Sequence, residues 1–474
     1  MAKNTLLQKG ILIIILVLFI GSLVVPNSFG KIGNKRLRSD APDIPPKTEW
    51  TTLITTNYSW CKGNWVEQTL DGGYIITGRT GEDVLLIKTN NNGNVVWDRT
   101  FHGNESYISS SVHQTSDGGY IIIGGTVEPH GSYNNSLLIK TDDEGNEQWS
   151  KIFGGSQMDK FLSGQQTNDS GYILAGDTMS FGSRNVPWIW MMKTDESGNE
   201  QWNKTYGNGS GNSIQQTTDS GYIIAGTVHG NMTLPNIFLL KTDFYGNVEW
   251  KKTYGGPYAD YGYSVQQTSD DGFIIFGISY QGDMGNVPAV ALLIKTDSQG
   301  NEVWNKTFEK GINDDIQGYS VRQTKDQGYI MTGTLASFSI PGWYNLWLLR
   351  TNSSGNKVWE RTFDSGNHYG DIGKVVQQTD DGGYIVVGNS ADEAIWLIKI
   401  AAESPLKITF IIGKISEPTI YENYSILNAY RTFCFQLFPL KIRYFHSGEE
   451  MIISNAHRGI LSNNTILGVF KAHI

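Results

Sequence analysis

Two cysteines in 474 residues, Cys61 and Cys434, are too few for a disulfide framework or a cysteine-rich metal centre. They fall in different regions, so an inter-domain bridge and two free buried thiols both stay open. Charge is sparse, at 18% Asp, Glu, Lys and Arg, which argues against disorder and against a coiled coil. The balance is acidic, with a formal net charge of −9, so the chain lacks the concentrated basic surface that nucleic acid demands. The eight histidines, among them His102, His113, His130, His229 and His368, are scattered without metal-ligand spacing. No Gly-x-Ser-x-Gly elbow and no phosphate loop occurs. Acidic stretches such as Asp142-Asp143-Glu144 lack the alternating oxygen ligands and terminal Glu of a calcium loop and read as Asx-type turns. The expectation is no metal and no cofactor.

What the chain has in abundance is glycine, 55 residues, and aromatics, 12%, which suit many short strands joined by tight turns. These are organised in seven copies of one pattern. Aligned on the aromatic that follows the turn glycine, the copies fall at Tyr74, Tyr120, Tyr172, Tyr222, Phe273, Tyr329 and Tyr384. The steps are about 46 to 56 residues, the range of solenoids and propellers. Each copy opens with a Val-x-Gln-Thr strand, as in Val265 to Thr268, and turns through Asp-x-Gly at Asp71, Asp117, Asp169, Asp219, Asp270, Asp326 and Asp381. A β-branched run follows, then a variable loop, a Leu-Ile-Lys-Thr strand, a turn with a late glycine, and a strand marked by tryptophan. Four strands per unit at this period point to a β-propeller.

The ends of the array complement each other. The last copy stops after Ile395 to Lys399 without its tryptophan strand, and Glu49 to Ile54 supplies one ahead of the first complete copy. With Trp50 included, the marks are Trp50, Trp97, Trp149, Trp202, Trp250, Trp304 and Trp359. The expected architecture is all-β: a seven-bladed propeller over 48–401 whose N-terminal strand closes the last blade, followed by a small β-rich domain over 402–474. Residues 1–30 read as a signal peptide, with Lys3 and Lys9 before an apolar run from Ile11 to Val25 and a small-x-small site at Ser28-Phe29-Gly30. An uncleaved anchor is the alternative, and only then is membrane contact expected. Residues 31–47, with Pro42, Pro45 and Pro46, read as a linker.

The Lys-Thr-Asp-x-x-Gly-Asn-x-x-Trp segment resembles the tryptophan-docking repeat of pyrroloquinoline-quinone (PQQ)-type propellers. With its Asp-Gly-Gly-Tyr-Ile-Ile turn, the unit is similar to a large group of exported bacterial and archaeal propeller proteins, and the leader and tail resemble those of euryarchaeal surface proteins. The resemblance implies fold and export. Quinoprotein dehydrogenases of this kind usually have eight blades and a vicinal disulfide over the cofactor, whereas this chain has seven repeats and no adjacent cysteines. No bound quinone is expected.

Because both variable connections of an up-and-down unit emerge on one face, that face receives the candidate contact residues Trp188, Trp190, Tyr258, Tyr261, Trp343, Tyr344 and Tyr369. Aromatic and polar mixtures there suit a carbohydrate, peptide or protein partner. Asn57, Asn104, Asn134, Asn208, Asn231 and Asn423 are glycan acceptor sequons. The repeated tryptophans read as packing between blades, because none is singular. The repeated second glutamine of the first strand reads as satisfying backbone groups. Asp159, Asp260, Asp315 and Asp371 recur ahead of the first strand and read as structural. No catalytic residue is expected. The favoured function is an exported, monomeric, non-enzymatic binding protein at the cell surface or secreted; an exported quinoprotein or glycan-processing enzyme is the alternative. Symmetry separates the two, since an enzyme concentrates acids, His or Arg near the axis from a few blades only.

Overall fold

The computed structural model describes residues 45–403 apart from 57–59, 104, 128–132, 184–185, 230–233, 283–286, 312–313, 338–343, 367–369 and 392, together with short strands in the tail. The leader, most of the linker and most of the tail lie outside the described residues. In the tail, Phe433–Cys434 pairs with Ile460–Leu461, and Lys441–His446 pairs with Glu449–Ser454.

Residues 45–402 pack as one compact unit. Every described element in it is a β-strand, in five four-stranded antiparallel sheets and one seven-stranded sheet. The larger sheet is two four-stranded sets that share one long strand, Glu200–Gln216. That strand runs unbroken from one set into the next through Gly207 and Gly209, both at positive φ. The last set is composite: Thr48–Ile54 lies antiparallel along Ile395–Ile400, with Trp50 opposite Lys399 and Ile54 opposite Ile395. Glu49 reaches Lys399 at 3.3 Å, and Trp396 Nε1 donates to Thr51 Oγ1. A paired strand leaves no open ladder at that position.

Within each set the second and third strands are apolar on both faces, because both faces meet a neighbouring set. Ile173, Leu174, Leu239 and Leu240 are completely buried. Burying one such side chain contributes roughly 1.5–3 kcal/mol. One cluster joins the last set to the first through Val375, Val387, Ile395 and Leu397 against Val66, Tyr74, Ile76 and Leu85. First strands stand beside one another in chain order, and the strand Ile372–Gln378 stands beside Cys61–Gln68, so the series closes on itself.

Three devices repeat, two of them between neighbouring sets and one, an ion pair, within each set. Each marked tryptophan packs against the aromatic of the following set, edge-on in Trp97–Tyr120 and Trp359–Tyr384, both with ring centroids 5.9 Å apart, and tilted in Trp202–Tyr222. The tip of Trp97 fills the place a Cβ on Gly145 would take, 2.6 Å away, and that glycine sits at φ 81°. Only glycine meets both conditions. Each Asp-x-Gly aspartate pairs with a buried cation from the third strand, as in Lys88–Asp71 at 2.8 Å, Lys193–Asp169 at 2.9 Å and Arg350–Asp326 at 2.5 Å.

The third device is the repeated glutamine. Gln114 Oε1 accepts the Leu70 N–H, and Gln166, Gln216, Gln267, Gln323 and Gln378 do the same for Ser116, Asn168, Thr218, Ser269 and Lys325, at 2.8–2.9 Å. Gln68 completes the circuit by accepting from Asp380 N–H at 2.9 Å. The glutamines are half-buried rather than fully buried, because they lie between turns on the short-turn face.

Candidate functional site

First strands run from a variable loop toward the Asp-x-Gly turn, so their side chains form tiers around the central axis. The tier one residue before the repeated glutamine holds Glu67, His113, Gln165, Gln215, Gln266, Arg322 and Gln377. Here Gln215 Oε1 accepts Gln267 N–H at 2.7 Å and Gln266 Oε1 accepts Gln323 N–H at 2.6 Å. Glu67 takes the same role, accepting Gln114 N–H at 3.0 Å through Oε1, while Oε2 lies 2.7 Å from His113 Nδ1. Trp65 packs edge-on to His113 at 5.1 Å, and the Arg322 guanidinium rests over Trp65 at 5.6 Å. Burial pulls the Arg322 pKa down, with Glu67 opposing the shift. This is the one sector of the tier where acid, imidazole and guanidinium meet among the described residues. Its carboxylate is committed to the backbone of the next strand, as the glutamines are.

The tier nearer the variable loops is built differently. Every first strand carries a β-bulge, and the extra residue at each bulge is Asn64, Ser110, Leu162, Asn212, Tyr263, Tyr319 or Lys374. Bulges bend a strand and re-aim a side chain. Three of these residues tie their strand to the next: Asn64 Nδ2 donates to Ser109 O at 2.8 Å, Ser110 Oγ to Phe161 O at 3.1 Å, and Asn212 Nδ2 to Gly262 O at 2.6 Å. Tyr263, Tyr319 and Lys374 instead meet one another. The two tyrosine rings are 6.0 Å apart at 56°, and Lys374 Nζ lies 4.6 Å above the Tyr319 ring. Such a cation–π contact contributes about 0.5–2 kcal/mol. Burial pulls Lys374 below its ordinary pKa, and the nearby Lys62 charge adds to that. Burial pushes Tyr263 up, with Tyr319, Tyr261, Tyr280 and Asp315 contributing in the same direction.

The sequence-derived contact residues divide. Tyr261 is half-buried beside this arc, edge-on to Tyr280 at 6.4 Å, and Tyr344 is close enough to Tyr319 to raise its pKa after burial and Asp315. Trp188 is half-buried on another set, its Nε1 donating to Ser183 O at 3.0 Å, and Tyr258 is half-buried. Trp190 is a correction: it is completely buried and stacks on Phe161 at 4.3 Å, because its strand is enclosed on both faces. It belongs to the core and offers no surface. Trp343 and Tyr369 lie outside the described residues.

Of the acceptor asparagines, Asn57, Asn104, Asn231 and Asn423 also lie outside them, as does the Asn134 side chain. Asn208 is half-buried, with Nδ2 donating to His229 O at 3.2 Å. Cys61 is a buried free thiol whose Sγ donates to Ile54 O at 3.2 Å.

The recurrent acids are structural. Asp159 accepts from Ser180 Oγ and Gly155 N–H, and Asp371 accepts from Ser365 N–H and Ala391 N–H. The acidic turns are Asx turns: Asp142 Oδ1 accepts from Glu144 N–H and Asn146 N–H. Sequence reasoning overlooked Tyr263, Tyr319 and Lys374 because it looked to the loops. The signal was present one turn deeper, four residues before the repeated glutamine, where the copies disagree.

No protein-family model and no curated protein matches this sequence. Solved structures do. The Neurospora crassa Pan2 WD40 domain aligns over 76% of this chain and 97% of its own, at 10% identity and a TM-score of 0.51. Weaker likeness extends to streptogramin B lyase, with 10% identity over 74% of this chain and 97% of that one (TM-score 0.48). It also extends to extracellular domains 1–2 of Drosophila semaphorin 1b, with 7% identity over 75% of this chain and 87% of that one (TM-score 0.44). WD40 domains are β-propellers, so the first of these likenesses establishes a propeller-type fold and nothing more.

Proposed function

We propose that this chain is an exported, non-enzymatic binding protein, built as a seven-bladed propeller of the PQQ-like repeat type whose N-terminal strand completes the last blade. It presents its variable-loop face, and the axial opening on that side, to a glycan, peptide or protein partner at the cell surface or in the secreted state. One observation carries this reading. Tyr263, Tyr319 and Lys374, which differ from their counterparts in the other sets, gather toward the loop side as an aromatic and cationic arc, whereas the repeated glutamines on the short-turn side make the same bond around the ring. Rigid scaffolds with one variable face bind through that face. In the acid–imidazole pair found on the axis among the described residues, the Glu67 carboxylate is tied to the Gln114 N–H of the next strand, which favours binding over acid–base chemistry.

Capture on glycan arrays and pull-downs with the full chain would supply a partner. Trp188→Ala combined with Tyr258→Ala is expected to weaken its binding at least tenfold, as hot-spot truncations do. Asn301→Ala on the short-turn face is expected to leave it unchanged. The reverse pattern would place recognition on the other face.

A further inference from the structure

Resting on that reading, we infer that the arc of Tyr263, Tyr319 and Lys374 is a binding site for a carboxylate-bearing sugar of the uronate type. The geometry supplies each half of such a ligand with a partner. Lys374 projects from a bulge toward the axis and, among the described residues, faces no carboxylate; its one described contact is the Tyr319 ring. Lys62, on the neighbouring first strand, adds a second positive charge. An unpaired ammonium in a half-enclosed site attracts an anion, and the surrounding protein focuses that field. The acid that acts on both tyrosines, Asp315, is already held by the Ala289 N–H at 2.7 Å, which leaves the two lysines to meet an anion.

Tyr263 and Tyr319, in tilted contact at 56° with centroids 6.0 Å apart, form one half-buried aromatic surface for the apolar side of a ring. Asn64, Ser110 and Asn212 occupy the same tier but spend their polar groups on neighbouring backbone. Selectivity therefore falls to the tyrosine–lysine arc. Two neighbouring cations beside a single aromatic surface match one carboxylated sugar ring better than an acidic peptide, whose charges are spread along an extended chain.

The test is calorimetric titration of the full chain with a galacturonate trisaccharide, its methyl ester, an oligoglutamate peptide and inorganic sulfate. The acidic trisaccharide is expected to bind at least tenfold more tightly than the other three. Lys374→Gln should abolish that preference, and Tyr319→Leu should weaken the acidic and esterified sugars alike. Lys252→Gln, on the opposite face, should change nothing. Thermal melts check the fold of each variant, with Lys62→Gln as the second charge variant should Lys374→Gln unfold.

Equal binding of the methyl ester, tighter binding of the peptide or sulfate, no binding of the trisaccharide, or full binding by Lys374→Gln would each overturn the inference. A partner whose binding depends on Trp188 and Tyr258 but not on Lys374 would sink this site while sparing the broader proposal.

Discussion

Two rings of side chains circle the same axis and obey opposite rules. The repeated glutamines make one hydrogen bond each to the neighbouring turn, and the bond from Asp380 to Gln68 closes the set with the same geometry as the rest. The bulge residues, four positions earlier on the same strands, share a backbone and little else: Asn, Ser, Leu, Asn, Tyr, Tyr and Lys. Equivalence in the first ring follows from a structural task that every interface poses identically. Inequality in the second ring has no such origin, because the bulge leaves its extra residue free of the ladder. Asn64, Ser110 and Asn212 still serve the fold through neighbouring carbonyls, whereas Tyr263, Tyr319 and Lys374 make no such bond among the described residues and are answerable to something else.

Breaking the equivalent architecture should have the largest effect. Deleting Thr48 to Ile54 removes the partner of Ile395–Ile400, the Trp50 contact with Tyr74 and the Glu49–Lys399 pair. A drop in Tm of roughly 10 °C or more, or aggregation through the exposed edge, is expected in thermal melts with light scattering. A truncated chain that melts like the intact one would show that closure rests elsewhere.

Acid should act next, and evenly around the ring. Burial alone would raise Asp71, but its hydrogen bonds from Lys88, Thr69 and the Gly73 N–H, with the Lys88 charge, hold it at about 2. Asp381 is held at about 2 through Lys399, Thr379 and Gly383, again against burial. Asp117, Asp169, Asp219, Asp270 and Asp326 are lowered likewise. A carboxylate whose folded pKa lies below its unfolded value of about 3.9 stabilises the fold above that value. Its contribution is lost as pH falls from about 4 to 2. These carboxylates are partly exposed, so each contributes modestly; Tm measured from pH 5 to pH 2 should fall in one cooperative step. Separate steps would mean that the sets are not coupled.

Single substitutions sharpen the contrast. Gln68→Ala and Gln216→Ala should cost about 1–2 kcal/mol each in denaturant melts and agree within about 0.5 kcal/mol, since each removes the same two bonds, one to the neighbouring turn and one to its own. In the unequal ring, Asn212→Ala loses its bond to Gly262 O and should cost a similar amount, whereas Tyr263→Phe, which breaks no described hydrogen bond, should cost less than about 0.5 kcal/mol. Uniform costs in both rings would erase the distinction.

The smallest effect expected is a gain. Gln327 occupies the left-handed turn position, at φ 68°, that Gly72, Gly118 and Gly382 occupy in other sets. Gln327→Gly should stabilise by roughly 0.5 kcal/mol, the strain relieved less the added chain entropy.

Most of the framework could be read from residue order. The pairing of Glu49–Ile54 with Ile395–Lys399 follows from a missing tryptophan strand at one end and a spare one at the other, and the packing role of the tryptophans follows from their recurrence. Trp190 misled because a loop-flanking aromatic and a buried residue near the start of an enclosed strand look alike in one dimension; only the stack on Phe161 separates them. The bulges were hidden for a related reason. A Gly-x-Ser triplet such as Gly262-Tyr263-Ser264 gives no local sign that its middle residue is unpaired, since pairing is decided by the register of the partner strand, Phe273–Tyr280.

The composite sheet also has a mechanical consequence. Thr48 lies opposite Ile400, and the Ala401 N–H donates to Lys47 O, so the chain enters and leaves the ring at the same end of one antiparallel ladder. Tension applied between residues 45 and 402 loads that ladder as a zipper, one rung at a time from Thr48 and Ile400 toward Ile54 and Ile395, rather than in shear across all rungs together. A protein held by both ends would therefore part at this seam under a low pulling force, and would do so before any other strand pair felt the load.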